Sequence, residues 1–443
     1  MLIPEFGTFE PGFRNFSCTE WRNPMSNRTF ELKYAKGTVS FELPEQNFMA
    51  ELQPNAVAAE LTDVEEVKRA LANPIGSPKL REIAKSGQKV VIVTSDITRP
   101  MPSYRVLPSV IDELGAAGVA PEDITVVLAL GSHRPHTDDE KKQLVGEAIF
   151  NLVNVIDSDM KKCVNLGKCN NGTPVDIFEP VANADCLICL GNVEYHYFAG
   201  YSGGAKALMP GVSSHAAIQA NHSNMVNPEA RAGNLTTNPV RQDIDQITEF
   251  IKIDFIVNVV LNSKKEIVKA VAGHWKEAHR AGCTFLDTLY GIPVEKRADI
   301  VVVTPGGFPK DINLYQSQKA LDNCKNAVKQ GGIVILLASA KEGFGEHCFE
   351  EWMLTKTPDE MIAEIKKNFR LGGHKAAAIS MVLKKAQVFF VSDWEPELAR
   401  KVNFVPFGSA QEAVDEALKQ MGADAKVIVM PYGGSTLPLV QES

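Results

Sequence analysis

The stretch "KVVIVTSDITRPMPSYRVLPSV", Lys89 to Val110, decides the fold. Residues 89–95 read as a strand, with an unbroken apolar run at 90–93. A turn rich in polar residues and proline follows, and from Tyr104 to Val119 the apolar residues recur at helical spacing. An apolar run without polar alternation reads as a strand buried on both faces. A strand, a turn and then a helix form the repeating unit of a parallel sheet.

The same unit recurs on either side. "ITVVLAL" (124–130) precedes a helical pattern near 138–146, and "ADCLICL" (184–190) leads into a glycine-rich stretch. "DFIVNVVL" (254–261) precedes a helix from about His274 to Tyr290. "GIPVEKRADIVVVTPGGFP" (291–309) reads as a boundary followed by a new first strand. A second series follows, with a helix around 315–329, the strand "GGIVILLAS", helices near 358–368 and 376–385, and "QVFFVSD". The run "AKVIVMP" (425–431) is expected to return to the first domain. The expected fold is α/β, with two domains of mainly parallel sheets and an active site in the cleft between them. The first domain takes 1–291 together with 425–443, and the second takes 297–422. The first forty residues show no clear pattern.

Composition narrows the function. A chain of 443 residues is long for a single core. The formal charge of −8 argues against nucleic acid or an acidic membrane surface as partner, and leaves room for a small anion met by local positive charge. No apolar run is long enough to span a bilayer, and "MLIPEFGTFEPGF" lacks the pattern of a secretory leader. Eight scattered cysteines suit a reducing cytoplasm. Cys186 and Cys189 have motif spacing, but no second pair accompanies them, so packing is the expected role.

Ligands in open α/β sheets bind beyond the carboxyl ends of strands, and three such ends here carry reactive residues. "SDITRPMP" offers Asp96, Thr98 and Arg99, whose guanidinium matches a carboxylate or phosphate; the alternative is a surface Asp96–Arg99 pair. "GSHRPHT" offers His133 as an acid–base group, with His136 expected to face solvent. "HYFAGYSGGAKALMPG" (196–211) offers His196, Ser202, Gly203, Gly204 and Lys206. Its glycines would let backbone N–H groups face an anion. It is not a Walker A loop. "GYSGG" does match the elbow of serine hydrolases, but the preceding strand ends near Leu190, too early for that turn. Further on lie His215 and His222 at i, i+7, Gln316 and Lys319 in "YQSQK", and His374 and Lys375 beside two glycines. Imidazole suits nickel, copper or zinc.

Taken together, "SDITRP", "GSHRPHT", "HYFAGYSGGAK…MPG", "ANHS" and "YQSQK" resemble the nickel-dependent lactate racemase family, in its order and close to its spacing. The resemblance covers nearly the whole chain beyond about residue 45. It implies 2-hydroxyacid racemase or epimerase activity and a nickel-pyridinium-3,5-bisthiocarboxylic acid mononucleotide cofactor. By similarity Lys206 attaches the cofactor covalently, with Ser202, Gly203, Gly204 and Thr98 around it, and His222 ligates the nickel. His133 and His196 become the paired acid–base residues. Asp96, Arg99, Gln316, Lys319 and His374 become substrate contacts. The family's lactate enzyme has tryptophan where this chain has His374, which points to a polar substrate such as malate, 2-hydroxyglutarate or a sugar acid. Two alternatives stay open: a hydrolase using Ser202, and a nucleotide-binding protein without turnover.

Overall fold

The computed structural model describes residues 26–441. Two six-stranded sheets organise the chain. In the first, the order is Ile267–Gly273, Phe255–Leu261, Cys186–Asn192, Val90–Ser95, Ile124–Ala129, Asn154–Asp157. Its strands run parallel except for the antiparallel edge pair of Phe255–Leu261 with Ile267–Gly273. Val90 to Val93 are all buried, as are all seven residues of Cys186–Asn192, because helices and loops cover both faces. Cys186 and Cys189 belong to this core, and burial pushes the Cys186 thiol up to about 12.

Strand connections fix where a ligand can enter. From Val90–Ser95 the chain moves outward to Ile124–Ala129 and Asn154–Asp157; from Cys186–Asn192 it moves the opposite way. These two central neighbours therefore diverge at their carboxyl ends and leave a crevice there, as expected at a topological switch point.

The second sheet, entirely parallel, has the order Val405–Phe407, Ala386–Val391, Val328–Leu337, Ala298–Val303, Val427–Met430, Phe48–Glu51. The helix expected around 315–329 is shorter, Leu314–Cys324, because the chain turns into the long strand from Val328. Other helices fall near their expected positions, at Pro358–Lys367 and Gly373–Leu383.

Two expectations about the chain's course are corrected. The run 425–431 does not return to the first sheet; Val427–Met430 lies inside the second, beside Ala298–Val303. An apolar strand signals burial on both faces, and that alone does not say in which sheet. The segment that does reach back is Leu437–Val440, which pairs with Gly291–Val294 at the crossing between the two halves. Residues 1–25 lie outside the described residues; after them, Asn27–Tyr34 and Gly37–Pro44 form an antiparallel hairpin. Phe30, Leu32, Phe41 and Leu43 pack on the second sheet, with Ile300, Val302 and Ile335 in the same cluster. No helix among the described residues is long and apolar enough to cross a membrane.

Candidate active site

A cavity of about 550 Å³ opens at the crevice of the first sheet and is closed on its far side by the second half of the chain. Three of the polar motifs reach it from strand ends. Asp96, Thr98 and Arg99 follow Val90–Ser95, His133 follows Ile124–Ala129, and His196 to Lys206 follow Cys186–Asn192. Gln316 and His374 come from helices of the second half.

Asp96 and His133 form one unit. The Asp96 carboxylate is nearly inaccessible and lies 2.7 Å from His133 Nδ1. Thr98 donates its hydroxyl to the same carboxylate at 2.9 Å. Burial works against the Asp96 charge, but the His133 and Thr98 hydrogen bonds and the nearby Arg99 overcome it and hold the carboxyl below its ordinary range. Asp96 accepts, so His133 Nδ1 donates and Nε2 carries the free lone pair. Arg99 is exposed in the wall and makes no side-chain hydrogen bond or ion pair with the described residues, so the surface Asp96–Arg99 pair does not form.

His136 does not face solvent. Its ring is buried, with Nδ1 2.6 Å from Asp157 and Nε2 accepting the Ile97 N–H at 3.1 Å. It ties two of the strand-end loops together. Asp157 is twenty-one residues further along the chain, a separation no local pattern reveals.

The glycine loop answers to what lies behind it. Gly203 and Gly204 have φ of +79° and +59°, conformations that favour glycine. A Cβ at Gly204 would meet the His279 ring at 2.8 Å, and one at Gly203 would meet Asn258 Oδ1 at 2.8 Å. His279 is fully buried and donates from Nε2 to the Ser202 carbonyl at 2.8 Å. The Gly204 N–H donates to Asn258 Oδ1 at 2.9 Å, so it does not face an anion. Ser202 Oγ donates to the Asn192 carbonyl at 2.7 Å and accepts the Glu194 N–H at 2.9 Å. No imidazole hydrogen-bonds it among the described residues, which leaves the hydrolase alternative without its base.

Lys206 sits in the turn Gly204–Ala207 and lines the cavity, nearly buried. Its amine has no hydrogen bond or ion pair with the described residues. Burial, reinforced by Arg99 and Arg241, pulls its pKa well below the ordinary lysine value. Desolvation of this kind makes a lysine amine a better nucleophile.

His222 closes the helix His215–His222. The Asn221 side-chain amide donates to the Val240 carbonyl at 3.0 Å and to Asp243, so its oxygen is the atom 3.0 Å from His222 Nδ1. Nδ1 therefore donates and Nε2 is left bare. Phe198 and Phe369 flank the ring edge-on, with centroids 4.9 and 5.0 Å away. His215 is exposed and lies outside the cavity lining, so the two histidines are not brought together. His196 also lines the cavity, and its Nδ1 accepts the Ala199 N–H at 3.3 Å. Burial first, then Lys206 and Arg99, pull its pKa well below the ordinary value.

Two expected contacts differ. Lys319 is not in the cavity lining; its amine lies 4.0 Å from Glu194, across the two halves. His374 lines the cavity, but its Nδ1 accepts the Gly372 N–H at 3.0 Å. Burial, with Lys375 adding repulsion, pulls its pKa to about 3, so it is uncharged. Sequence reasoning missed Tyr197, Tyr315 and Phe369 in the lining. Tyr197 and Tyr315 stand inside quoted motifs, beside His196 and Gln316. His279 and Asn258, the supports of the glycine loop, carry no local signal.

Comparison with known proteins gives the family. The lactate racemase N-terminal domain profile matches residues 34–233, and the C-terminal domain profile matches 294–437. The lactate racemase of Lactiplantibacillus plantarum is 34% identical over 91% of this chain and 98% of its own length. That of Thermoanaerobacterium thermosaccharolyticum is 33% identical over 92% and 98%. The chain belongs to the lactate racemase family. It is an isomerase of the racemase type. The solved lactate racemase apoprotein of T. thermosaccharolyticum superposes with a TM-score of 0.83 at 32% identity, covering 93% of this chain and all of that one. A solved protein from Thermotoga maritima, 18% identical over 87% of this chain with a TM-score of 0.61, shares the fold.

Proposed function

We propose that this member of the lactate racemase family inverts C2 of a 2-hydroxyacid whose side chain is polar, using the nickel-pincer nucleotide attached to Lys206. The observation that carries the reading is the convergence of Lys206, His222, His133, His196 and Arg99 on one cavity.

The residues present fit the cofactor. Lys206 offers an amine with no partner among the described residues and a pKa pulled well down by burial, and His222 offers a bare Nε2 held by its Nδ1 contact, the arrangement metal-ligating histidines need. No group of three or more potential metal ligands exists among the described residues, so a metal here would need donors from a bound molecule. Lys206 would hold the cofactor through a thioamide, and His222 would complete a four-ligand nickel site of the kind nickel accepts. When bound, the cofactor supplies an acceptor for the C2 hydrogen as hydride, which avoids a carbanion beside an ionised carboxylate.

The remaining chemistry belongs to the chain. Arg99 binds the C1 carboxylate with its unpaired guanidinium. His133, oriented by Asp96, takes the hydroxyl proton on Nε2 as C2 loses its hydrogen. The opposite enantiomer presents its hydroxyl on the other side, which is the role of His196. In the structure the His196 ring accepts at Nδ1, so a neutral ring carries its proton on Nε2 and donates to a substrate oxygen. To accept a hydroxyl proton it must change tautomer and release Ala199, a long contact that is readily given up. Gln316 reaches the cavity from the second half, and water exclusion between the halves protects the planar 2-oxoacid. A binding protein without turnover needs neither acid–base histidine.

The test is direct. Cofactor-loaded protein incubated with single enantiomers of lactate, malate, 2-hydroxyglutarate and gluconate should lose optical rotation with at least one. Loss with none of the four rejects the proposal.

A further inference from the structure

The cavity wall carries more positive charge than the reaction uses. Asp96 is the single acid among the described lining residues, and His133 and Thr98 occupy it. Three permanent cations or amines face it: Arg99, Lys206 and Lys375. Under the racemase reading Lys206 is consumed by cofactor attachment and Arg99 by the C1 carboxylate. Lys375 is left over.

Lys375 comes from the helix Gly373–Leu383 of the second half. Its amine donates to the Tyr315 carbonyl at 2.8 Å and lies 3.8 Å over the centre of the Tyr315 ring. No carboxylate among the described residues is within ion-pair distance of it. A carbonyl and a ring face satisfy part of an ammonium and neutralise none of its charge. Its neighbours aggravate this: burial first, then Lys319 and Arg99, bring its pKa down to about 7. His374, the adjacent residue, cannot share the role, because Gly372 occupies its Nδ1 and the ring is uncharged.

A second lining residue carries an unmatched donor. The Tyr197 hydroxyl is buried and has no hydrogen-bond partner among the described residues. Its ring lies 6.2 Å from the His374 ring, where the first half meets the second. Buried polar groups are ordinarily paired, so a phenol without an acceptor and an ammonium without a counter-charge imply a ligand that brings an anionic oxygen.

We propose that Lys375 and Tyr197 form a subsite for the second carboxylate of a 2-hydroxy dicarboxylic acid whose first carboxylate is held by Arg99. This rests on the racemase reading and names its substrate class. A methyl side chain, as in lactate, would leave the Tyr197 hydroxyl without an acceptor and the Lys375 charge without a partner. A neutral polyol would satisfy the hydroxyl and leave the charge.

The experiment compares kcat and KM of the cofactor-loaded wild type, Lys375→Met, Lys375→Arg and Tyr197→Phe on malate, 2-hydroxyglutarate, lactate and gluconate. In the wild type a dicarboxylate should exceed lactate and gluconate in kcat/KM by about tenfold or more, the scale set by a buried charge finding its partner. Lys375→Met should lower the dicarboxylate-to-lactate ratio by about tenfold or more, chiefly through KM, and Lys375→Arg should restore part of it. Tyr197→Phe should lower the same ratio by a smaller factor. Succinate should inhibit the wild type competitively and more tightly than butyrate, which tests the subsite without any substitution. A wild-type preference for lactate or gluconate overturns the proposal, as does a Lys375→Met ratio equal to wild type or equal inhibition by succinate and butyrate. In these cases the racemase reading survives. Absence of inversion with every hydroxyacid removes that reading as well.

Discussion

The Asp96 carboxylate accepts from both Thr98 and His133, which makes the imidazole's tautomer a consequence of one buried acid. With Asp96 present, Nδ1 holds a proton and Nε2 is left free for the proposed role as base. Asp96→Asn presents an amide that can donate instead and stabilises the opposite tautomer. By analogy with the catalytic triad, where this change costs about 10⁴ in kcat, we expect a loss on the order of 10²–10⁴ with little change in KM. His133→Ala should fall in the same range, and the double variant should be little worse than either single one, since the two act as a unit. Rates with both enantiomers check this; an Asp96→Asn enzyme within about threefold of wild type contradicts the assignment. The sequence exposed these residues because each follows a strand. It misplaced His136 because the partner that buries it, Asp157, is remote in sequence. It placed His374 in the site, where the residue does line the cavity; only the structure shows Gly372 occupying its Nδ1.

At the scale of elements, the loop from His196 to Gly211 owes its shape to the helix Glu277–Tyr290 and the strand Phe255–Leu261, which supply His279 and Asn258. Gly204→Ala would place a methyl 2.8 Å from the His279 ring and hold a non-glycine residue at a φ of +59°. The backbone term costs roughly 1–2 kcal/mol and the overpacking about 1–3 kcal/mol. The loop can relieve both by shifting, which moves Lys206. Intact mass spectrometry after cofactor loading should show the wild-type adduct strongly reduced in Gly204→Ala and absent in Lys206→Ala, with Gly204→Ala still folded by circular dichroism. An undiminished adduct on Gly204→Ala would show that the loop tolerates the side chain, and an adduct on Lys206→Ala would place the attachment elsewhere. Sequence reading found the glycines but supposed that their N–H groups faced a ligand. Gly204 instead bonds Asn258, more than fifty residues away in the chain. The hairpin Asn27–Pro44 was legible in principle: Phe30 and Leu32, like Phe41 and Leu43, alternate with polar residues in the period of a half-buried strand.

At the scale of the molecule, the apolar runs announced two parallel sheets, since strands covered on both faces leave a pattern that needs no partner to be read. Which strand joins which sheet was not legible, and Val427–Met430 shows why: four buried apolar residues suit either core equally. The divergence of strands at Ser95 and Asn192 then concentrates the reactive residues in one place, and the second half closes it. The central claim is that this arrangement inverts C2 by moving its hydrogen as hydride, with the histidines handling only the hydroxyl proton. The most direct measurement incubates one enantiomer of an accepted 2-hydroxyacid with cofactor-loaded enzyme in D₂O and resolves the products by chiral chromatography and mass spectrometry. The account predicts that the inverted enantiomer accumulates with its original hydrogen still at C2. Solvent deuterium at C2 of the inverted product would instead mean proton abstraction to a carbanion, and would contradict it.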